Sequence, residues 1–250
     1  MSVTISPAVH RVLPLLTDPP AAPTAPHGYL DLIGPQPADD REVNTGIVQS
    51  LWSSRIGASL FDHAATTARR VFGILQSPAE RLQLKPGHTA LDIGCGPGEI
   101  TAALARTVGP TGLALGLDIS ASMLTRAARQ HRADNIAFLR ADAQRLPLRD
   151  NTIDAVTCIA GLQLIPDPDA ALAEMTRVLR PGGHLAVLVP TVLTGPLELI
   201  GRYLPGAGGA RFFTATEIAD TVKGFGLSEV GTRRFGMIQW TYGRKLRAED

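Results

Sequence analysis

The segment Leu91-Asp92-Ile93-Gly94-Cys95-Gly96-Pro97-Gly98-Glu99 constrains the fold more than any other stretch of the chain. A short apolar run leads straight into three glycines within five residues, and then into a helical pattern. Glycine is required where a backbone must adopt dihedrals that side chains resist, or where a ligand comes close to the main chain. Strand, bare bend and helix in that order predict a βα unit that receives a ligand at its turn.

The spacing narrows the ligand. A dinucleotide fingerprint, G-x-G-x-x-G, needs a late glycine that lets a helix start meet a pyrophosphate. Counted from Gly94 that position is Glu99, and counted from Gly96 it is Thr101. A carboxylate at a helix start opposes a phosphate. No Gly-Lys-Ser/Thr follows, so the P-loop pattern fails as well. A ligand without phosphates and with positive charge fits better, and Asp92 could face its ammonium or sulfonium group.

Around this bend the chain alternates. Thr89–Ile93, Leu113–Leu117, Ala137–Arg140, Ile153–Ile159 and His184–Val189 read as strands. Glu99–Val108, Ser120–His131 and Pro168–Leu179 read as helices between them, with Ser120 an N-cap and Arg180-Pro181-Gly182-Gly183 a stop and reversal. Such alternation implies right-handed crossovers and a parallel sheet. Phe213–Phe225 reads as a further helix, and Leu227–Arg234 with Met237–Tyr242 as a terminal antiparallel pair. The expected architecture is α/β, a Rossmann-like, doubly wound, seven-stranded sheet. It is mostly parallel, with an antiparallel C-terminal strand, an N-terminal arm and a helical cover.

At 250 residues the chain suits one α/β domain with attachments. Residues 1–45 form the expected arm; Pro14 to Pro37 carries too many prolines for a helix and reads as irregular. Residues 46–250 form the domain. Within it, 46–85 is a helical cover, with Ile47 to Leu75 helical, and 190–213 an apolar lid with glycine hinges. The cysteines, Cys95 and Cys158, are neither a disulfide framework nor metal ligands by spacing. Without a leader-like start or an apolar run of about 20 residues, the expectation is a cytoplasmic protein without a membrane span. A formal net charge of +1 offers little grip on nucleic acid.

The segment from Thr89 to Val189 resembles class I S-adenosylmethionine-dependent methyltransferases, particularly the type-11, ubiquinone/menaquinone-biosynthesis-like group. Asp92 to Gly98 match that family's D-x-G-x-G-x-G loop position for position. Further stations are Asp118 closing the second strand and Asp142 after the third. Leu146-Pro147-Leu148-Arg149-Asp150-Asn151-Thr152-Ile153-Asp154 and Arg180-Pro181-Gly182-Gly183 complete the set. The resemblance implies S-adenosyl-L-methionine as cofactor and S-adenosyl-L-homocysteine as product. It implies a binding set of Asp92, Gly94, Cys95, Gly96, Gly98, Asp118, Ile119, Met123, Asp142, Ala143 and Ile159. Asp118 would accept hydrogen bonds from both ribose hydroxyls, Asp142 one from the adenine amino group, and Ile119 and Met123 would lie against the adenine face. Each has a plainer alternative: an acid before a helix suits the macrodipole, and Met123 suits ordinary packing.

No catalytic residue is assigned. His63, His131 and His184 are bases only by elimination, with His184 expected at the wrong edge of the sheet. The segment after the fourth strand, Ala160 to Pro168, is apolar but for Gln163 and Asp167. With the arm, Tyr29, Trp52, Arg55, Phe61 and the 190–213 insert, it points to O- or C-methylation of a small apolar acceptor. The alternatives are an RNA base methyltransferase, suggested by Gly28-Tyr29-Leu30-Asp31-Leu32, a non-catalytic cofactor-binding protein of the same fold and, behind them, a dehydrogenase. The RNA reading lacks the four-cysteine module that those relatives carry. Oligomeric state is open, a homodimer included.

Overall fold

A computed structural model describes residues 5–33, 78–191 and 211–247. The helix expected over Ile47 to Leu75, with His63, Trp52, Arg55 and Phe61, lies outside these residues, as does the lid insert but for its first two and last three positions.

The described strands are β1 (Leu30–Asp31), β2 (Thr89–Ile93), β3 (Leu113–Asp118), β4 (Ile136–Arg140), β5 (Ile153–Ile159), β6 (Leu179–Pro190), β7 (Leu227–Phe235) and β8 (Ile238–Lys245). They form one sheet in the order β1-β4-β3-β2-β5-β6-β8-β7. The pairs from β1 through β6 are parallel, and β8 is antiparallel to both β6 and β7. The chain therefore winds outward from β2 and returns to β5, which makes the carboxyl ends of β2 and β5 a topological switch point. The helices are α1 (Pro7–Val12), α2 (Pro78–Arg81), α3 (Glu99–Val108), α4 (Ala121–Gln130), α5 (Pro168–Val178) and α6 (Glu217–Gly224).

Side chains alternate across the sheet as the pleat requires. Leu91, Ile93, Leu115, Leu117, Val156 and Cys158 face a core shared with α1, α5 and α6. Ala90, Ala114, Phe138 and Ala155 face the opposite core, which α3 and α4 close with Ala102, Leu104, Val108, Leu124 and Ala127. Small residues on that second face let α3 lie close. At Gly116 of β3 an added Cβ would come within 2.7 Å of Phe138 and 2.8 Å of Thr101.

The structure differs from the sequence expectations at several points. The sheet has eight strands, because Leu30 and Asp31 of the arm pair in parallel with Leu139 and Arg140. The arm also contains α1, which Ser6 caps by accepting from the Val9 amide while Pro7 occupies the first turn. The link from β4 to β5 has no helix, and Ala8, Val9, Val12 and Leu16 of the arm join Leu146 and Leu148 in the core beside it. Finally, Arg180–Gly183 lies within the span of β6: Leu179 pairs with Ile153 and His184 with Ala155, so the intervening residues bulge from the ladder. The α6 helix starts at Glu217 and not Phe213, because Phe213 is spent on a bridge to Thr191 and on the core.

Candidate cofactor site

The glycine loop crosses from β2 to α3 over the end of β3. The amides of Gly94 and Cys95 both donate to the Leu117 carbonyl, at 2.8 and 3.0 Å, and Gly98 N donates to the Cys95 carbonyl at 3.0 Å. All three glycines have positive φ, but they serve different ends. Gly98, at φ 87°, caps α3, and a Cβ there would press on Phe138 at 2.9 Å, His131 at 3.0 Å and Ala127 at 3.1 Å. Gly96, at φ 51°, has nothing within 4 Å of the position a Cβ would take. The first glycine seats the helix on the sheet; the second leaves the main chain open to a ligand.

Three acids stand at successive strand ends. Asp92 is 1% exposed and accepts from the Thr101 hydroxyl at 2.7 Å, so the carboxylate is turned beneath the loop toward α3. Asp118 is half-buried at the end of β3. One of its oxygens accepts from Gly96 N and the other from Ser120 N, both at 2.8 Å. Burial pushes its pKa above the usual carboxylate value, while the amides of Ser120, Gly96 and Ile119 pull the other way. Asp142, half-buried past the end of β4, accepts from the amide and side chain of Gln144, at 2.9 and 3.1 Å. The Gln144 side-chain oxygen, Oε1, accepts in turn from Asp167 N at 3.0 Å.

The Gly96–Asp118 bond joins loop and acid directly, and Ala141 N donates to the Asp118 carbonyl, tying the end of β4 to that of β3. A Cβ at Gly94 would lie 3.4 Å from Gly161, which brings the end of β5 to the same rim. Ile119, Met123, Ala143 and Ile159 are all half-buried. Cys95, in the loop, is buried, and burial first, then Asp118 and Asp92, push its thiol well up. Cys158 below it is pushed up to about 12 for the same leading reason.

The histidines divide. His184 opens the regular part of β6, opposite Arg244, at the other end of the sheet from the glycine loop, and its pKa is lowered chiefly by burial. His131 caps the end of α4 and packs at Gly98, 3.6 Å from Glu99, with its buried Nε2 lacking a hydrogen-bond partner. Thr101, Gln144 and Arg140 escaped the sequence reading. Thr101 sits on the buried stripe of α3, and Arg140 is an arginine closing an otherwise apolar strand; both were visible as oddities, though not their partners.

A family profile described as a methyltransferase domain matches residues 91–187. The demethylmenaquinone methyltransferase of Lactobacillus johnsonii is 40% identical over 126 residues, which is 49% of this chain and 52% of that protein. The ubiquinone/menaquinone biosynthesis C-methyltransferase UbiE of Saccharophagus degradans is 43% identical over 109 residues, 42% of this chain and 44% of its own length. The chain thus spans about half the length of the relatives it matches. Among solved structures, a SAM-dependent methyltransferase from Aquifex aeolicus superposes with a TM-score of 0.54 at 23% identity, covering 67% of this chain and 87% of its own, a likeness of fold. The resemblance to class I, type-11 methyltransferases holds across this segment, and the sheet is of the Rossmann-like methyltransferase kind. Among the described residues, no helix is long and apolar enough to cross a membrane.

Proposed function

We propose that this chain, which carries a methyltransferase domain across residues 91–187, passes a methyl group from S-adenosylmethionine to a small, apolar, quinone-type acceptor at carbon or oxygen. The observation that carries the reading is the pairing of Gly96 with Asp118. A main-chain position open on its Cβ side is hydrogen-bonded to a carboxylate at the switch point of the sheet. That surface suits a ligand bearing hydroxyls and a cation, and it presents an acid where a phosphate would need donors.

In this reading Gly94, Cys95, Gly96 and Gly98 hold the amino-acid end of the cofactor, with Asp92 lending negative potential from beneath through its bond to Thr101. Asp118 accepts from the ribose, Asp142 from the adenine amino group, and Ile119, Met123, Ala143 and Ile159 supply apolar walls. When bound, the cofactor supplies an electrophilic methyl on a sulfonium. The protein aligns an acceptor with that methyl, and good alignment removes on the order of 7–11 kcal/mol of barrier. A general base matters most for a hydroxyl nucleophile. Of the candidate bases among the described residues, His184 stands at the far end of the sheet and His131 packs behind Gly98. The names of the two relatives favour the quinone-type acceptor and methylation at carbon. Two buried free thiols suit a reducing compartment, the cytoplasm.

Calorimetry with S-adenosylhomocysteine and with NAD tests the cofactor, and transfer of labelled methyl to demethylated naphthoquinols and to RNA tests the acceptor. Uptake of NAD alone would remove the cofactor assignment. Label appearing only in RNA would remove the acceptor.

A further inference from the structure

We propose that the arm strand β1 is a working part of the cofactor site, with Asp31 a positioning residue that acts through Arg140 on the backbone beside Asp118. This rests on the cofactor reading above and extends it to residues outside the 91–187 segment.

The contact runs from the arm to the rim in two bonds. Arg140 Nη1 donates to Asp31 Oδ2 at 3.0 Å, and Arg140 Nε donates to the Ile119 carbonyl at 3.1 Å. Register enforces the first, since Asp31 and Arg140 are partners in the β1–β4 ladder and Leu32 N donates to the Arg140 carbonyl at 3.0 Å. The other Asp31 oxygen accepts from Ile33 N at 3.1 Å, which orients the carboxylate. Arg140 is only 8% exposed, so its charge leans on the acid beside it. The Ile119 peptide lies between Asp118 and Ser120, and Ser120 both donates to Asp118 and caps α4. That carbonyl and the Ser120 N–H belong to one peptide group, so holding it fixes the direction of the N–H that donates to the Asp118 carboxylate. The arm also continues as one wall of a cleft of about 480 Å³, where Leu32 and Ile33 face Asp142, Gln144 and Arg145. The arm thus borders Asp142 across the cleft and reaches the backbone beside Asp118 through Arg140.

If Asp31 is removed, the guanidinium loses a counter-charge on the side where Asp31 meets solvent and turns toward water, releasing the Ile119 carbonyl. Asp31→Asn keeps the shape and removes the charge. Binding of S-adenosylhomocysteine and of 5′-methylthioadenosine, which carries the adenosine half without the amino acid, is measured by calorimetry beside the melting temperature. Both affinities are expected to fall by the same factor, roughly five- to tenfold, the scale of coupling through a contact network. The melting temperature should move by no more than about 2 °C, because the Asp31 side chain is 36% exposed and the charge it carries is screened by water. Asp31→Glu should restore part of the affinity. Arg140→Lys, which keeps the charge but loses the Nε bond, should weaken both ligands alike, and combining it with Asp31→Asn should add little. Unchanged affinity in Asp31→Asn overturns the proposal, and so does a loss that merely follows a lowered melting temperature. A wild-type protein that takes up neither adenosine ligand brings down the cofactor reading itself, and this inference with it.

Discussion

The glycine loop and the N-terminal arm shape the same rim of the sheet by opposite means. Residues 94–98 work through missing side chains: Gly98 admits Phe138, Ala127 and His131, and Gly96 leaves room for a ligand. Residues 5–33 work through the side chains they supply. Val12 and Leu16 are fully buried, and Arg149 donates to the Leu16 carbonyl at 2.7 Å while its amide donates to that of Leu15 at 2.8 Å. The loop should therefore be intolerant of added atoms and the arm of removed ones. Substitutions that add or delete methyl groups in the two regions can break that contrast.

The largest effects on stability are expected in the arm and at Gly98. Leu16→Ala should cost about 2–5 kcal/mol in denaturant unfolding, the range for emptying a fully buried leucine site. A cost below about 1 kcal/mol would make the arm an ornament on a self-sufficient domain. In the loop, Gly98→Ala adds about 1–2 kcal/mol of left-handed strain to about 1–3 kcal/mol of overpacking against Phe138 and Ala127. Gly96→Ala carries the strain alone, so it should unfold more easily by only about 1–2 kcal/mol while losing most of its cofactor affinity. The pair sharpens the contrast within the loop itself: equal stability losses would mean that the open space at Gly96 is not what distinguishes it. On binding alone, Asp118→Ala should weaken S-adenosylhomocysteine affinity by about 1.5–3 kcal/mol in calorimetry, the worth of hydrogen bonds to a charged group. Unchanged affinity there would remove Asp118 from the site.

The two regions also differ in how far they could be read from residues alone. The dihedral constraint on the loop is local, since each glycine has positive φ, although the partners that crowd Gly98 and Gly94, Phe138, Ala127, His131 and Gly161, are distant in sequence. The strands flanking it, Thr89–Ile93 and Ile153–Ile159, are continuous apolar runs whose limits show directly. β1 has two residues, too few for any period, and Asp31 meets Arg140 across 109 residues of chain. Prolines in the arm rightly exclude a long helix, yet Ser6 and Pro7 together make a helix start that is easily passed over beside them. Site chemistry follows the same division. The acids at the ends of β2, β3 and β4 are legible from position, but partners such as Thr101 for Asp92, and Arg140 for the Ile119 carbonyl beside Asp118, depend on which elements become neighbours.

The least of the expected effects is one of pH, and it separates the acid's role in the empty protein from its role in binding. Burial raises the Asp118 pKa above the 3.8 of an unperturbed aspartate, so the folded state takes up its proton more readily than the unfolded chain. Ionising Asp118 therefore costs folding energy, a cost that appears as pH rises through the interval from 3.8 to the raised value and is relieved as pH falls back through it. Ribose hydroxyls donate to the ionised carboxylate, so cofactor affinity should move the other way and decline on acidification across that interval. Titrations of affinity and of ligand-free stability should thus slope in opposite directions above the range of an ordinary aspartate. The difference between wild type and Asp118→Asn isolates the share due to this residue. The arm provides the control: Asp31 lies outside the pocket proper, so Asp31→Asn should lower affinity at every pH without shifting the midpoint of the decline. A midpoint that moved with Asp31 would mean that the arm acts on the charge of Asp118 and not on its position.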